Sequence, residues 1–172
     1  MQREILYDGN YIRILREGHW EFVQRNNCTG IVVILPLTTA GETIFVEQYR
    51  IPVAKPVIEF PAGLVGDTSD THEPLEQAAA RELEEETGYR AGKLVQLVSG
   101  CASAGLSSEI LTFFKATGLE KVSSGGGDDT ESIITHLVPL AEAHQWLAAK
   151  GRDENVIIDL KVYAGLDWLL HA

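Results

Sequence analysis

The chain has 172 residues, 45% of them hydrophobic, and a formal net charge of −11. That is enough apolar material for one well-cored domain, and the acidic balance argues against general affinity for nucleic acid or an anionic membrane, whose phosphates would meet a repulsive average field. Its two cysteines, Cys28 and Cys101, form no CxxC pattern, which argues against a disulfide framework or a zinc site and reads as buried free thiols.

The amino terminus, MQREILYDGN, lacks the basic start and apolar stretch of a signal peptide, and the longest apolar run, IVVIL before Pro36, is too short to span a bilayer. A cytoplasmic location is expected. YIRILREG and HWEFVQRN alternate as a pair of strands joined around Gly18, and GIVVILPL with ETIFVEQYR reads as a second hairpin turning through TTAG. PLEQAAARELEEET predicts a helix over 74–87, with Pro74 suited to its first turn and Gly88 as its stop. KLVQLVSG, ILTFFKAT and SIITHLVPL follow as strands. Between the last two, SSGGGDDTE at 123–131 reads as a flexible loop without the Gly-Lys-Ser/Thr ending of a phosphate-binding P-loop. Two helical patterns close the chain: LAEAHQWLAAKG, ending at Gly151, and a segment near 156–171 carrying Val162, Leu166, Leu169 and Leu170 at helical spacing. Mixed strands with helices on either side predict an α/β fold, an α/β/α sandwich around a mixed sheet, preceded by an N-terminal strand pair. One domain over 1–172 is expected.

The helix at 74–87 is unusual in its charge. Four of the five residues from Glu82 to Glu86 are glutamates, in the last turns, where the helix dipole disfavours anions by about 0.3–1 kcal/mol each. Glu82 also meets Glu85 and Glu86 at like-charged i+3 and i+4 spacings, each costing about 0.2–0.5 kcal/mol. At roughly 100° per residue the three lie within one arc, beside an apolar stripe of Leu75, Ala79 and Leu83. The arc is either a solvated charged face or a fan of carboxylates around a cation.

At this point the sequence resembles the Nudix hydrolases, whose signature is Gly-x5-Glu-x7-Arg-Glu-U-x-Glu-Glu-x-Gly-U, with U bulky and apolar or aromatic. Glu73, seven intervening residues, and then Arg81 through Tyr89 match its second part; Gly63 is separated from Glu73 by nine residues, where the signature has five. WEFVQR at 20–25, EQYR at 47–50, EFPAGL at 59–64, GLSSE at 105–109, GDDTE at 127–131 and DLKVY at 159–163 are similar in order and spacing to the ADP-ribose and nucleoside-diphosphate-sugar pyrophosphatases of that family, which tend to have proline where Ala104 stands.

The resemblance implies a metal site on the helix. Glu82 and Glu86 would be principal ligands, Glu85 would bind the metal or its water, the Ala62 carbonyl would complete the set, and Arg81 would orient the glutamates unless it makes only a surface salt bridge. Magnesium is the implied ion, with manganese possible. The general base would be Glu131 on the acidic loop, with Glu85 as the alternative. Trp20 would stack a base or else pack in the core, Arg25 and Arg50 would supply local positive charge or serve strand-edge solubility, Glu59 would contact the nucleoside or satisfy backbone near Pro61, and Leu64 would line the pocket. The implied partners are a small-molecule nucleotide substrate and a second copy of the chain, with strands 1–29 taking part in dimerisation beside a catalytic core at 30–172. The expected activity is hydrolysis of the pyrophosphate of ADP-ribose or a related nucleoside diphosphate sugar. The alternatives are a Nudix hydrolase of dinucleoside polyphosphates and a non-catalytic nucleotide-binding module.

Overall fold

The computed structural model describes residues 2–66, 72–127 and 132–171. Strands β1 (Arg3–Asp8), β2 (Ile12–Glu17) and β3 (Trp20–Arg25) form an antiparallel sheet in that order. The expected strand pair is β2 and β3, turning at Gly18 in the left-handed region with φ of 64°. β1 is an addition that the sequence did not reveal, because REILYD is exposed along its whole length and has no buried face to impose alternation.

Next come β4 (Gly30–Pro36), β5 (Glu42–Arg50), β6 (Lys55–Glu59), β7 (Ala62–Val65), α1 (Leu75–Thr87), β8 (Tyr89–Arg90) and β9 (Lys93–Cys101). The chain then runs through β10 (Ile110–Thr117), β11 (Glu120–Lys121), β12 (Ile133–Pro139), α2 (Ala143–Lys150), β13 (Ile157–Ile158) and α3 (Leu160–His171). β4 and β5 are not the hairpin that their sequence suggested. β4 lies inside a mixed sheet of order β7-β4-β10-β9, and β5 inside a second of order β12-β5-β6-β13, with an isolated Leu37–Thr43 bridge at the crossing. The reason is burial: Val32 to Leu35 and Thr43 to Val46 are buried without a break, so each strand needs cover on both faces, which two strands alone do not provide. Pro36, lacking an N–H, ends β4 where the chain departs for the other sheet.

β4 divides its side chains between two cores, and this produces the layering. Val32 and Ile34 join Val65, Phe114 and the α1 residues Ala78, Ala79 and Leu83. Val33 and Leu35 face the other way, onto Phe45, Ile58 and Phe60 with Leu147 of α2 and Val162, Leu166 and Leu169 of α3. Gly165 brings α3 close: a Cβ built there would meet Phe60 Cε2 at 2.5 Å and Leu35 Cδ2 at 2.6 Å. Among the described residues no helix is long and apolar enough to cross a membrane. The thiols differ from expectation. Cys28 is half-buried with its Sγ 2.9 Å from the Gly30 carbonyl, whereas Cys101 is exposed at the end of the edge strand β9, where the sheet has no further neighbour to cover it.

Candidate active site

Helix α1 forms because its alanines and leucines favour the conformation and Gly88, at φ of 74°, supplies the left-handed C-cap. Packing Ala78, Ala79 and Leu83 onto the sheet fixes the rotation of the helix, which turns Glu82 and Glu86 toward β7. Both carboxylates are buried. Glu86 Oε2 accepts the Ala62 N–H at 3.2 Å. Glu82 lies so close to the Gly63 backbone that a Cβ there would sit 1.8 Å from its Cδ, so glycine is what admits the carboxylate.

Arg81 ties these groups together. It donates to Glu73 Oε1 at 3.0 Å and Oε2 at 3.1 Å, to Glu82 Oε1 at 2.8 Å, to Glu85 Oε2 at 3.0 Å and to the Leu64 carbonyl at 3.1 Å. This is not a surface pair, since the Arg81 side chain is 22% exposed and that of Glu73 is 4% exposed. The Glu73 hydrogen bonds, with the charges of Glu82 and Glu73, hold the guanidinium above its ordinary pKa range despite burial. Arg81 and the Gly66 N–H in turn hold Glu73 below the ordinary carboxylate range against its own burial. The sequence showed Glu73 as part of the signature but gave it no task; its carboxylate holds Arg81, which in turn donates to Glu82 and Glu85.

Glu82 and Glu85 meet at the same Arg81 nitrogen, but the three glutamates differ in exposure. Glu85 is 51% exposed and lines a neighbouring hollow with Ser123, Ser124, Gly125 and Gly127. Glu82 and Glu86 instead line a cavity of about 820 Å³ whose floor is Ile31, Val33 and Leu111. Ala62, Gly63 and Leu64 complete the wall on their side. A second wall carries Arg25 and Glu109, joined at 2.6 Å. A third carries Arg50 and Glu59, also joined at 2.6 Å, with Asp159 paired to Lys161. Arg25 and Arg50 thus line the cavity, and each is already matched by a carboxylate, Glu59 being paired with Arg50. Glu109, Asp159 and Lys161 were not singled out from the sequence, although they sit in the GLSSE and DLKVY segments. Trp20 is neither in the core nor in this cavity; it is 52% exposed in a separate hollow with Phe22, Ala104 and Ser107. Strand β3 connects the two places, because Val23 pairs with the 106–108 segment that leads to Glu109. Glu131 lies outside the described residues.

Residues 28–159 match the NUDIX domain family. The chain belongs to that family. It is 34% identical over 122 residues to a methanol dehydrogenase activator of Bacillus methanolicus, covering 70% of this chain and 64% of that protein. It is 40% identical over 105 residues to an ADP-ribose pyrophosphatase of Bacillus subtilis (strain 168), covering 61% and 55%. An ADP-sugar pyrophosphatase of Mus musculus is 30% identical over 189 residues, covering 94% and 82%. The chain thus spans less than two thirds of the length of the two Bacillus proteins. The solved structure of an ADP compounds hydrolase superposes with a TM-score of 0.74 at 20% identity, over 99% of this chain and 92% of that one, which shows the fold.

The Nudix cavity suits a divalent cation by its donor set. Five carboxylates, Glu59, Glu82, Glu86, Glu109 and Asp159, line it against three cations, Arg25, Arg50 and Lys161. The surplus is negative, and an anionic substrate alone would be repelled. No group of three or more acidic, histidine or cysteine side chains forms a ready-made metal cage among the described residues. Two buried carboxylates with oxygen-only chemistry nevertheless match an ion that takes one or two protein carboxylates and fills its remaining positions with water and substrate phosphate.

Proposed function

We propose that this Nudix chain hydrolyses the pyrophosphate of a nucleoside diphosphate sugar, with ADP-ribose preferred, giving a nucleoside monophosphate and a sugar phosphate. The observation that carries the reading is the cavity that buried Glu82 and Glu86 line together with Arg25 and Arg50. The names of the Bacillus subtilis and mouse relatives support the substrate class. Nudix hydrolases work with a divalent metal, and here we assign magnesium, or manganese, to Glu82, Glu86 and the Ala62 carbonyl, with Glu85 at the margin. Bound there, the ion supplies neutralisation of the phosphate oxygens and acidifies the attacking water.

The chain's own residues do the rest. Arg81, fixed by Glu73, holds Glu82 and Glu85 in orientation. Water adds to one phosphorus as the bridging P–O bond breaks, its proton passes to a carboxylate base, and the bridging oxygen leaves on the other phosphate. Glu131 is assigned as that base, with Glu85 as the alternative. Arg25 and Arg50 exchange their carboxylate partners for substrate oxygens. Trp20 stacks a base, and the exposed Ile5, Tyr7 and Ile12 of the N-terminal sheet, with Tyr11 beside them, form the dimer interface. The enzyme is expected in the cytoplasm.

The test is a panel of ADP-ribose, ADP-glucose, GDP-mannose, UDP-glucose, NADH, diadenosine polyphosphates and nucleoside triphosphates with magnesium. Diphosphate sugars should lead and ADP-ribose should rank first. Preference for triphosphates or dinucleoside polyphosphates overturns the substrate class, and no turnover with either metal favours a binding module.

A further inference from the structure

The cavity's third wall differs in kind from its second. It combines the apolar Pro52, Val53 and Leu160 with the Asp159–Lys161 pair. Asp159 is rigidly presented: its N–H donates to the Ile58 carbonyl at 3.0 Å, its Oδ1 accepts the Lys161 N–H at 2.8 Å as a helix N-cap, and its Oδ2 accepts the Lys161 ammonium. Lys161 stands in the first turn of α3, where the dipole disfavours a cation, and bends back to Asp159 inside the cavity. Two groups of opposite hydrogen-bonding character are thereby held side by side next to aliphatic surface.

The geometry points to the Asp159–Lys161 pair as the subsite that reads the hydroxyls of the sugar half of the substrate. This rests on the hydrolase reading above and orients the substrate within it. The diphosphate belongs with Glu82 and Glu86, so the base and the sugar divide the remaining two walls. None of the described residues lining the cavity is aromatic, while Trp20 lies beyond the second wall on the same strand as Arg25. A base directed toward Trp20 leaves the sugar against α3. Sugar rings present vicinal hydroxyls that both donate and accept, together with C–H faces. Asp159 accepts, Lys161 donates, and Val53 and Leu160 cover the C–H face.

The experiment compares the native protein with Asp159→Asn and Lys161→Met. Asparagine still caps α3, and methionine keeps the aliphatic stem, so both variants preserve the helix. Dissociation constants for ADP-ribose, ADP-glucose and ADP are measured with calcium in place of magnesium to slow turnover, and kcat/KM with magnesium. Native protein should bind ADP-ribose more tightly than ADP. In the variants kcat/KM for the two sugars should fall roughly 10- to 100-fold, while affinity for ADP stays within about twofold, as expected when a site built for hydroxyls loses its partner. Equal losses for ADP and the sugars, or unchanged discrimination between them, overturn the assignment, as does native protein that binds ADP as well as ADP-ribose. Absent turnover by the native enzyme defeats the hydrolase reading, while the binding ratio alone still decides the sugar subsite.

Discussion

Replacing Arg81 with methionine tests the network beneath the site. The substitution keeps most of the apolar stem but removes the donors to Glu73, Glu82, Glu85 and the Leu64 carbonyl. Glu73, with 4% of its side chain exposed, then carries a buried charge with no guanidinium. Breaking a buried pair in this way costs about 3–5 kcal/mol. For a chain of this size that corresponds to a fall in Tm of about 6–20 °C, read by thermal melting in chelator. The pH dependence has a definite sign. In the native protein the Glu73 pKa is depressed from its ordinary value of 4.5, so its stabilisation is present above that value and fades as pH falls through the lower folded pKa. In the variant burial outweighs the remaining Gly66 N–H hydrogen bond and raises the pKa, so protonation relieves the penalty. The gap between native and variant should be widest near neutral pH and should narrow below about pH 4. A double variant with Glu73→Gln should recover much of the loss. A gap below about 1 kcal/mol, or one independent of pH, would mean an exposed ion pair of ordinary worth and would refute the clamp.

Glu86→Gln should abolish most turnover while leaving Tm unchanged or slightly higher, because a metal ligand is lost and repulsion at the helix end is relieved; near-native turnover would sink the metal assignment. Gly63→Ala should reduce kcat by roughly 10-fold or more, since its Cβ would occupy the Glu82 carboxylate position, and a crystal structure of the variant should show Glu82 displaced. Glu131→Gln should lower turnover roughly 10²–10⁴-fold with little change in substrate affinity; intact turnover there, with loss in Glu85→Gln, moves the base to the helix. Trp20→Ala should raise KM more than it lowers kcat, because stacking a remote base stabilises ground and transition states alike.

The longest periodic segments were legible from the sequence, and the reason is visible in their burial. α1 begins at Leu75 and ends at Thr87 because its stripe meets one sheet face and Gly88 stops it. β9, β10 and β12 also fall where their patterns placed them. The short β6, β7 and β13 were not legible: Ala62–Val65 and Ile157–Ile158 take strand form from partners far away in sequence, and Lys55–Glu59 pairs locally with β5 but is too short to show a period. The site divides in the same way. Spacing along one helix exposed Glu82, Glu85, Glu86 and Arg81, but it could not show that Glu85 would turn toward solvent. Nor could it show that Arg25 would meet Glu109 from far along the chain, or that Arg50 would meet Glu59 on the next strand.

The charge at the end of α1 is resolved by what surrounds it. Gly126 and Gly127 donate to the Glu86 and Glu85 carbonyls at 2.9 and 3.0 Å, Lys121 donates to the Thr87 carbonyl at 2.7 Å, and Gly88 closes on Glu84 at 2.8 Å. The carbonyls that carry the negative end of the dipole are therefore all engaged, which weakens the repulsion the glutamates would feel from an open terminus. Residues 123–127, read from the sequence as flexible, are docked against this helix end. A Cβ at Gly125 would meet the Thr87 carbonyl carbon at 2.4 Å, so only glycine permits the contact. Arg81 offsets part of the remaining repulsion from within the helix, between Glu82 and Glu85, and Arg90 pairs with Glu84 on the outer face. What these contacts do not remove is the burial of Glu82 and Glu86 beside one another, and that residual cost is the feature a bound divalent cation would relieve.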